Sequence, residues 1–544
     1  MIYCHHKNTL KEEDMVTSIL CGACVILLCV LAEKFSDKFG MPALILFMFI
    51  GMLFGSDGLL FQIPFEDFKV AENICSLAFV FIMFYGGFNT KWKVAKEVAG
   101  KAILLSTAGV LLTAGITGVI CYFVLQLSVQ ESVLIGAVLS STDAASVFAI
   151  LRKKKLNLKD GTASILEVES GSNDPVAYML TVIAVSMMGT GQTTNLFVLI
   201  LLQIVFGILV GAVLAKITIY VMNQTNFISE GLDTIFMIAM VLVCYAVTTM
   251  LNGNAFLSIY LFGIIIGNSK LKNKYTLIPF FDGVTGLAQI LIFCLIGLLS
   301  FPHQIPHNIP LALAIVFILT VIARPATVFA LLLPFRCSVK QCLLIAWAGL
   351  RGASSSVFAI MAVATGITMK QDLFHIVFMV SLFSVAIQGT LLPQVAQKLD
   401  MVDDESDVRK TFNDYQEETS LSLMQMHIPK GHTWINRKIK DVNMPTGALA
   451  IMIKRNGQTI ITKGDTVIYE NDNVILSVPP YVAADNEELQ ERTIEKNDEW
   501  CNKTIEELHL KETEIIAMII RGDENIIPDG KTMILSGDKI VMCG

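Results

Sequence analysis

Four short stretches place ionisable or hydroxyl side chains inside otherwise apolar runs. They are Ser140-Ser141-Thr142-Asp143; Glu167 with Glu169-Ser170-Gly171-Ser172-Asn173-Asp174-Pro175; Arg324-Pro325; and Gly349-Leu350-Arg351-Gly352-Ala353-Ser354-Ser355-Ser356. Charges at membrane depth are expensive and mark functional sites by default. In the second stretch Glu169 and Asn173 stand one helical turn apart, with Ser170 and Asp174 beside them, a polar stripe on one face. Pro175 has no backbone donor and frees a carbonyl one turn earlier. Two carboxylates, an amide and a hydroxyl are hard oxygen ligands that suit an alkali cation or a proton, not a soft metal. A single serine or threonine in an apolar helix is ordinary packing glue. Four such stretches together, with several carboxylates and two arginines, point to an ion site.

These residues need apolar elements around them, and the composition supplies them. The 544 residues are 54% hydrophobic and 16% charged, with mean hydropathy +0.63. Soluble domains run near 45–50% apolar and about 25% charged. A net charge of −7 argues against a nucleic-acid partner. A spanning helix needs roughly 20 apolar residues. That window finds spans over 16–33, 41–56, 69–88, 102–126, 132–151, 161–188, 194–222, 232–251, 254–269, 283–301, 308–334, 340–367 and 372–396. The first run has no clear cleavage site and reads as a span, not a leader. Most cysteines sit in apolar runs as small hydrophobes, and Cys21-x-x-Cys24 lacks the setting of a redox motif.

Basic residues stay on the cytoplasmic side. Loops after odd-numbered spans carry Lys34 and Lys38, Lys91 to Lys101, Arg152 to Lys155 with Lys159, Lys270 to Lys274, and Arg336 with Lys340; loops after even-numbered spans carry only Lys69 and Lys370. The expected N-terminus, residues 1–14, is therefore extracytoplasmic and the C-terminus cytoplasmic. Spans five and twelve are interrupted by small polar residues, which is tolerated only where backbone lines a cavity. With span seven as a linker, they are matching members of two six-span halves in opposite orientation, the layout of a repeat-built transporter.

The motifs Thr142-Asp143, Glu169-Ser170-x-x-Asn173-Asp174, Ala323-Arg324-Pro325 and Gly349-Leu350-Arg351-Gly352, in this order over residues 15–398, resemble the monovalent cation:proton antiporters of the NhaP type. The resemblance implies an all-α polytopic homodimer in the cell membrane, with thirteen helices per subunit and crossed broken helices. A core would move elevator-like against a dimerisation domain. It implies Asp174 as the ion-binding carboxylate and Asn173 as the group that orients the site. Thr142, Asp143 and Ser170 would complete the site, Glu169 would pair with Arg324, and Arg351 would support the broken helix. One departure stands out: Phe84-Tyr85-Gly86-Gly87 carries Tyr85 where relatives often have an acid. A carboxylate taken out of water is stable only with a proton or a cation beside it. Competition for Asp174 then gives exchange of one cation per proton, K+ being favoured over Na+ by analogy.

After residue 398 the composition turns polar. Residues 399–424 read as an acidic linker, and two units, 425–484 and 490–544, repeat without a gap: Trp434 matches Trp500, Arg455 matches Arg521, and Asp472 matches Asp538. Each reads as a short helix and then strands, at Ala448–Lys454 and Val474–Val478 and at Ile515–Arg521 and Ile540–Cys543, with turns at Asn456-Gly457 and Gly522-Asp523. Ile460-Ile461…Gly464-Asp465-Thr466…Asn471-Asp472 resembles the TrkA-C (RCK_C) subdomain. In some relatives this subdomain binds a cyclic dinucleotide, cyclic-di-AMP; the alternative is a dimerisation module without a ligand. No nucleotide-binding G-x-G-x-x-G precedes the units, and no other cofactor is expected. Other readings are Na+ extrusion, a tail-gated cation channel, which lacks a Thr-Val-Gly-Tyr-Gly filter, and an intramembrane hydrolase built on Ser354–Ser356 and His375, which lacks a nucleophile elbow.

Overall fold

The computed structural model describes residues 20–403 and 422–543, apart from 21, 37–41, 59–62, 64, 155, 190–194, 225–231, 272–273, 443, 445–447, 456–457, 479–488, 495–497, 509, 511–514, 522–523 and 527. Residues 1–14, Cys21, Lys38, both expected tail turns and most of the acidic linker lie outside the described residues. The chain divides into two units, Met1–Asn413 and Asp414–Gly544.

The first unit is helical. Among the described residues seven helices are long and apolar enough to cross a membrane: Phe68–Asn89, Val98–Phe123, Leu196–Asn223, Asp233–Met250, Thr276–Leu298, Pro302–Phe335 and Leu373–Lys398. Ala43–Phe54 and Ala255–Gly267 are shorter apolar helices. Thr162–Met188 is a 27-residue helix that runs through Pro175 and carries the polar stripe. The expected interruptions are present. One stretch is the pair of helices Val129–Val138 and Ala144–Lys153, the other the pair Val339–Trp347 and Ala353–Ala364. Both pairs begin on the same device: Ser128 caps its helix with Glu131 at the third position, and Ser338 accepts from the backbone of Gln341. The two side chains then reach outward. Glu131 accepts the N–H groups of Lys370 and Gln371, and Gln341 donates to the Asp160 carbonyl and to the Thr162 hydroxyl.

Lipid removes the hydrophobic drive between helices, so close contact relies on small residues. Ala43–Phe54 meets Thr276–Leu298 at Gly51 and Gly297: a Cβ on Gly51 would strike the Cys294 carbonyl oxygen, and one on Gly297 that of Met48. Phe68–Asn89 meets Ala255–Gly267 in the same way, with Gly87 against the Tyr260 carbonyl and Gly263 against that of Phe84. Rings of Phe79, Phe84, Phe256, Phe262, Phe281 and Phe358 fill the space around these contacts.

The second unit holds two four-stranded antiparallel sheets of one topology. The first contains β1 (Ser422–His427), β2 (Leu449–Arg455), β3 (Gln458–Ile461) and β4 (Asn473–Val478), in the order β1-β4-β2-β3. The second contains β5 (Leu489–Thr493), β6 (Ile515–Arg521), β7 (Glu524–Ile526) and β8 (Lys539–Cys543), in the order β5-β8-β6-β7. Register slips at Ala450/Met452 in one and at Ile516/Met518 in the other. Asn436 and Asn502 both turn the chain with left-handed backbone, φ 63° and 64°. In each sheet an arginine grips a buried aspartate with two hydrogen bonds, Arg455 with Asp472 and Arg521 with Asp538. Burial pushes Asp472 up, but the Arg455 guanidinium and the Tyr469 N–H outweigh it and hold the carboxyl below the usual range. The short helix expected in each unit is a single 3-10 turn, Ile439–Asp441 in the first and Glu506–Leu508 in the second. In the first, the backbone N–H groups of Asn436 and Ile439 go instead to the Ile468 and Thr466 carbonyls, which holds the segment against the neighbouring chain. Strands β1, β3, β5 and β7 are additional to the expected ones.

The glycine contacts give the first testable outcome. Gly263→Val drives a side chain into the Phe84 carbonyl and the Phe88 N–H. Overpacking of this kind costs about 1–3 kcal/mol. The variant should melt at clearly lower temperature in detergent than wild type, while Gly115→Val, where an added Cβ meets nothing, should not.

Candidate functional site

The two interrupted stretches cross at their breaks. Asp143 N–H donates to the Leu350 carbonyl at 2.9 Å, and an Arg351 Nη1–H donates to the Ser141 carbonyl. Each break exposes backbone groups that a continuous helix would satisfy internally. Asp143 serves two of the helix starts at once. Its carboxylate accepts the Ser146 N–H at 3.2 Å and the Ser146 hydroxyl at 2.7 Å in its own stretch, and the Ala353 N–H at 3.4 Å in the other. Arg351 serves the opposite polarity, donating to a carbonyl where the first half-helix ends. The Arg351 backbone N–H goes to Ser384 at 3.0 Å, and Gln388 donates to the Trp347 carbonyl at 3.1 Å, where the first half-helix of the second stretch ends. Gly352 must lack a side chain, because a Cβ there would overlap the Asp143 carboxylate.

The Thr162–Met188 helix lays its polar stripe against the first break. Ser170 donates to the Thr142 carbonyl at 2.7 Å, and Asn173 Nδ2 donates to the Thr142 hydroxyl at 2.5 Å. Asp174 accepts the Ser141 hydroxyl, and Ser141 Oγ lies 2.8 Å from Ser354 Oγ. One turn away Glu169 pairs with Arg324 at 2.5 Å, both side chains at most 3% exposed. Thus Asp174, Asn173, Ser170 and Thr142 converge on one point, Asp143 faces the helix starts beside it, and Glu169 is occupied by Arg324. Among the described residues no group of three or more His, Cys, Asp or Glu side chains is placed to hold a metal ion.

Ser141, Ser354 and Ser384 were not singled out by the sequence as contact residues. The first two stand in the polar runs that mark the breaks; Ser384 has no comparable flag. Tyr85 is half-buried beside Gly87. His375 is held between Asp372 at 2.5 Å and the Phe301 N–H at 2.8 Å, so both ring nitrogens are taken. That leaves it no free nitrogen to serve as a base for a serine.

Residues 23–398 match the model of the transmembrane sodium/hydrogen exchanger family. The chain belongs to this family. It is a membrane-embedded, multi-pass cation/proton antiporter, a transporter and not an enzyme. Residues 423–484 and 489–544 match the TrkA-C domain. The chain is 33% identical over 475 residues to the K(+)/H(+) antiporter NhaP of Alkalimonas amylolytica, covering 85% of this chain and 81% of that one. It is 30% identical over 469 residues to the K(+)/H(+) antiporter NhaP2 of Shewanella sp. (strain ANA-3), with the same coverage. Its fold is that of the sodium proton antiporter MjNhaP1 from Methanocaldococcus jannaschii, at TM-score 0.62 and 22% identity, covering 69% of this chain and 97% of that one.

The buried Glu169–Arg324 pair of this antiporter can be tested without reference to transport. Removing one member of a buried pair costs about 3–5 kcal/mol, because the other charge is stranded. Arg324→Gln should sharply lower the melting temperature in detergent. Adding Glu169→Gln to it should recover most of the loss; a double variant as unstable as the single would show that the two charges are not coupled.

Proposed function

We propose that the antiporter exchanges one K+ for one H+ at Asp174, without net charge movement, by elevator-like movement of a core that carries the crossed breaks. The observation that carries this reading is a charge count. Among the described residues, five ionisable side chains around the crossing are buried: Asp143, Glu169 and Asp174 against Arg324 and Arg351. Three acids against two bases leave one negative charge in a low-dielectric setting, where an unpaired charge is expensive. One proton or one monovalent cation neutralises it; both together would overshoot. If movement requires a neutral site, the carrier crosses with either passenger and returns with the other. Glu169 drops out of this cycle because Arg324 holds it, and Asn173 and Ser170 fix the walls of the site through Thr142. The preference for K+ is supported by the relatives named as K(+)/H(+) antiporters, against a 26% identical relative from Aphanothece halophytica named as a Na(+)/H(+) antiporter.

The same proposal takes thirteen spans in two inverted halves, with the Leu196–Gln224 helix as linker. Its support is a constant spacing. Val129 and Val339 open the broken stretches 210 residues apart, and Pro302–Phe335 and Leu373–Lys398 follow Val98–Phe123 and Thr162–Met188 at similar distance. The glycine pairs Gly51–Gly297 and Gly87–Gly263 exchange partners under that shift, as two halves related by a two-fold axis require. A homodimer with the N-terminus outside and the tail in the cytoplasm completes the reading.

We further take the tail as regulatory. Support comes from the chain just after the last span. Lys159 N–H donates to the Met401 carbonyl and Asp403 N–H to the Asn157 carbonyl, both at 2.9 Å, which pairs Leu158 with Val402 as a short antiparallel bridge. Asp400 reaches Lys159 at 3.0 Å and Lys340 at 3.6 Å; the Lys159 ammonium holds its carboxyl below the usual range. The segment that leads to the sheets is thus bonded to the loop before the Asp174 helix and to the start of the second broken stretch.

Asp174→Asn should abolish cation-dependent proton movement in proteoliposomes, and wild-type exchange should not respond to an imposed membrane potential. Exchange at wild-type level in the variant would remove Asp174 from its role. Cyclic-di-AMP should accelerate the full chain, should not affect a chain ended after residue 403 that still transports, and should act severalfold more weakly on Asp400→Ala. A response retained by the shortened chain would exclude the tail as its seat.

A further inference from the structure

The second broken stretch approaches the Asp174 carboxyl at Ser354, through Ser141. Ser354 is 3% exposed and lies 2.8 Å from Ser141 Oγ, whose hydroxyl donates to Asp174. It does not serve its own helix as its neighbour does: Ser356 donates back to the Gly352 carbonyl at 3.1 Å, the usual refuge of a serine in an apolar helix. Ser354 and Ser141 are instead two hydroxyls from the two broken stretches, hydrogen-bonded to each other beside the carboxylate. A hydroxyl rotor can donate to a bare carboxylate and can also turn its lone pairs to a cation. The start of the Ala353–Ala364 helix carries partial positive charge that would oppose a cation, and the Asp143 carboxylate against the Ala353 N–H offsets it.

We propose that Ser354, with Ser141, is a direct cation ligand and the specificity-determining residue of the site, resting on the reading of Asp174 as its carboxylate. One uncompensated carboxylate surrounded by neutral oxygens is a weak ligand field. Selectivity among alkali ions follows the number and field strength of such dipoles against the energy of dehydration. A weak field replaces the loosely held water of K+ more completely than the tighter shell of Na+. With Tyr85 in span three, these hydroxyls supply oxygens in place of a second acid. Because Ser354 and Ser141 come from different broken stretches, a bound cation ties the two stretches to the Asp174 helix.

The test is the apparent KM for K+ and for Na+ of the full chain in proteoliposomes. Ser354→Ala should raise the KM for K+ about tenfold, the loss of one good ligand. The KM for Na+ should change much less, so that the K+/Na+ preference falls, with maximal rate nearly kept. Ser354→Thr, which keeps the hydroxyl, should stay near wild type; Ser354→Cys, nearly isosteric without the hard oxygen, should behave as the alanine variant. If a variant reconstitutes poorly, the rise in melting temperature with KCl over choline chloride in detergent gives the same comparison, with its half-effect moved to higher K+. An unchanged KM for K+ and unchanged preference in the alanine and cysteine variants overturns the proposal. Loss of exchange in Asp174→Asn alongside that result would leave the Asp174 site standing and remove Ser354 alone; persistence of exchange in Asp174→Asn would remove both.

Discussion

Two helices broken inside an apolar layer expose ends that neither water nor lipid can satisfy, and the architecture of the transport unit follows from how those ends find partners. Backbone groups left bare in hydrocarbon cost several kcal/mol each. The breaks cross, so that one acid can serve both helix starts and one guanidinium can serve an opposing carbonyl. Asp143 does the first and Arg351 the second. Gly352 lacks a Cβ because the Asp143 carboxylate occupies that space, and Ser384 and Gln388 sit on the neighbouring helix to take what remains. The polar side chains here are the substitute for the hydrogen bonds that a continuous helix makes with itself.

This requirement also explains why one carboxylate stands apart. Asp143 is committed to backbone N–H groups, and Glu169 to Arg324. Asp174 accepts the Ser141 hydroxyl. Neutral donors can orient a carboxylate but cannot cancel its charge, so in a buried site the proton or a cation must do so. A site with one such acid, held by groups whose own charges are spent elsewhere, has the minimum equipment for competition between two monovalent ions. On the proposed reading the fixed charges act as scaffold, and the exchangeable one is whatever neutralises Asp174.

Much of this was legible in the residues. The interruptions at Ser140–Asp143 and Gly349–Ser356 showed themselves because polar residues are rare in apolar runs, and the Glu169–Asp174 stripe because helical spacing puts it on one face. The tail repeat was legible from its constant shift, and the strands at Ile515–Arg521 and Leu449–Arg455 from short apolar runs. What escaped is what depends on the third dimension. Ser354 is one of three consecutive serines, and only the crossing decides which one meets Ser141 beside Asp174. Asp143 looked like a ligand by type; its bonds to Ser146 are local, but its bond to Ala353 is a contact 210 residues away along the chain. Strand β1 escaped because Ser422–His427 straddles the end of the polar linker and alternates only briefly, at Met424 and Met426, and its place beside β4 is fixed by pairing and not by composition.

The constant spacing gives these assignments a further meaning. On the proposed repeat, Ser141 corresponds to Arg351 and Asp174 to Ser384. Both pairs are in contact: Ser141 with Asp174 through its hydroxyl, and Arg351 with Ser384 through its backbone. One backbone arrangement thus occurs twice, with a carboxylate at the helix position in one half and a hydroxyl in the other, and with a hydroxyl at the break in one half and a guanidinium in the other. A symmetric pair of carboxylates would hold two exchangeable charges and move net charge. A symmetric pair of guanidinium groups would repel any cation. The divergence keeps the shared geometry, which the crossing needs, and leaves the exchangeable charge in one half only. The other half supplies the fixed positive charge that completes the balance around it.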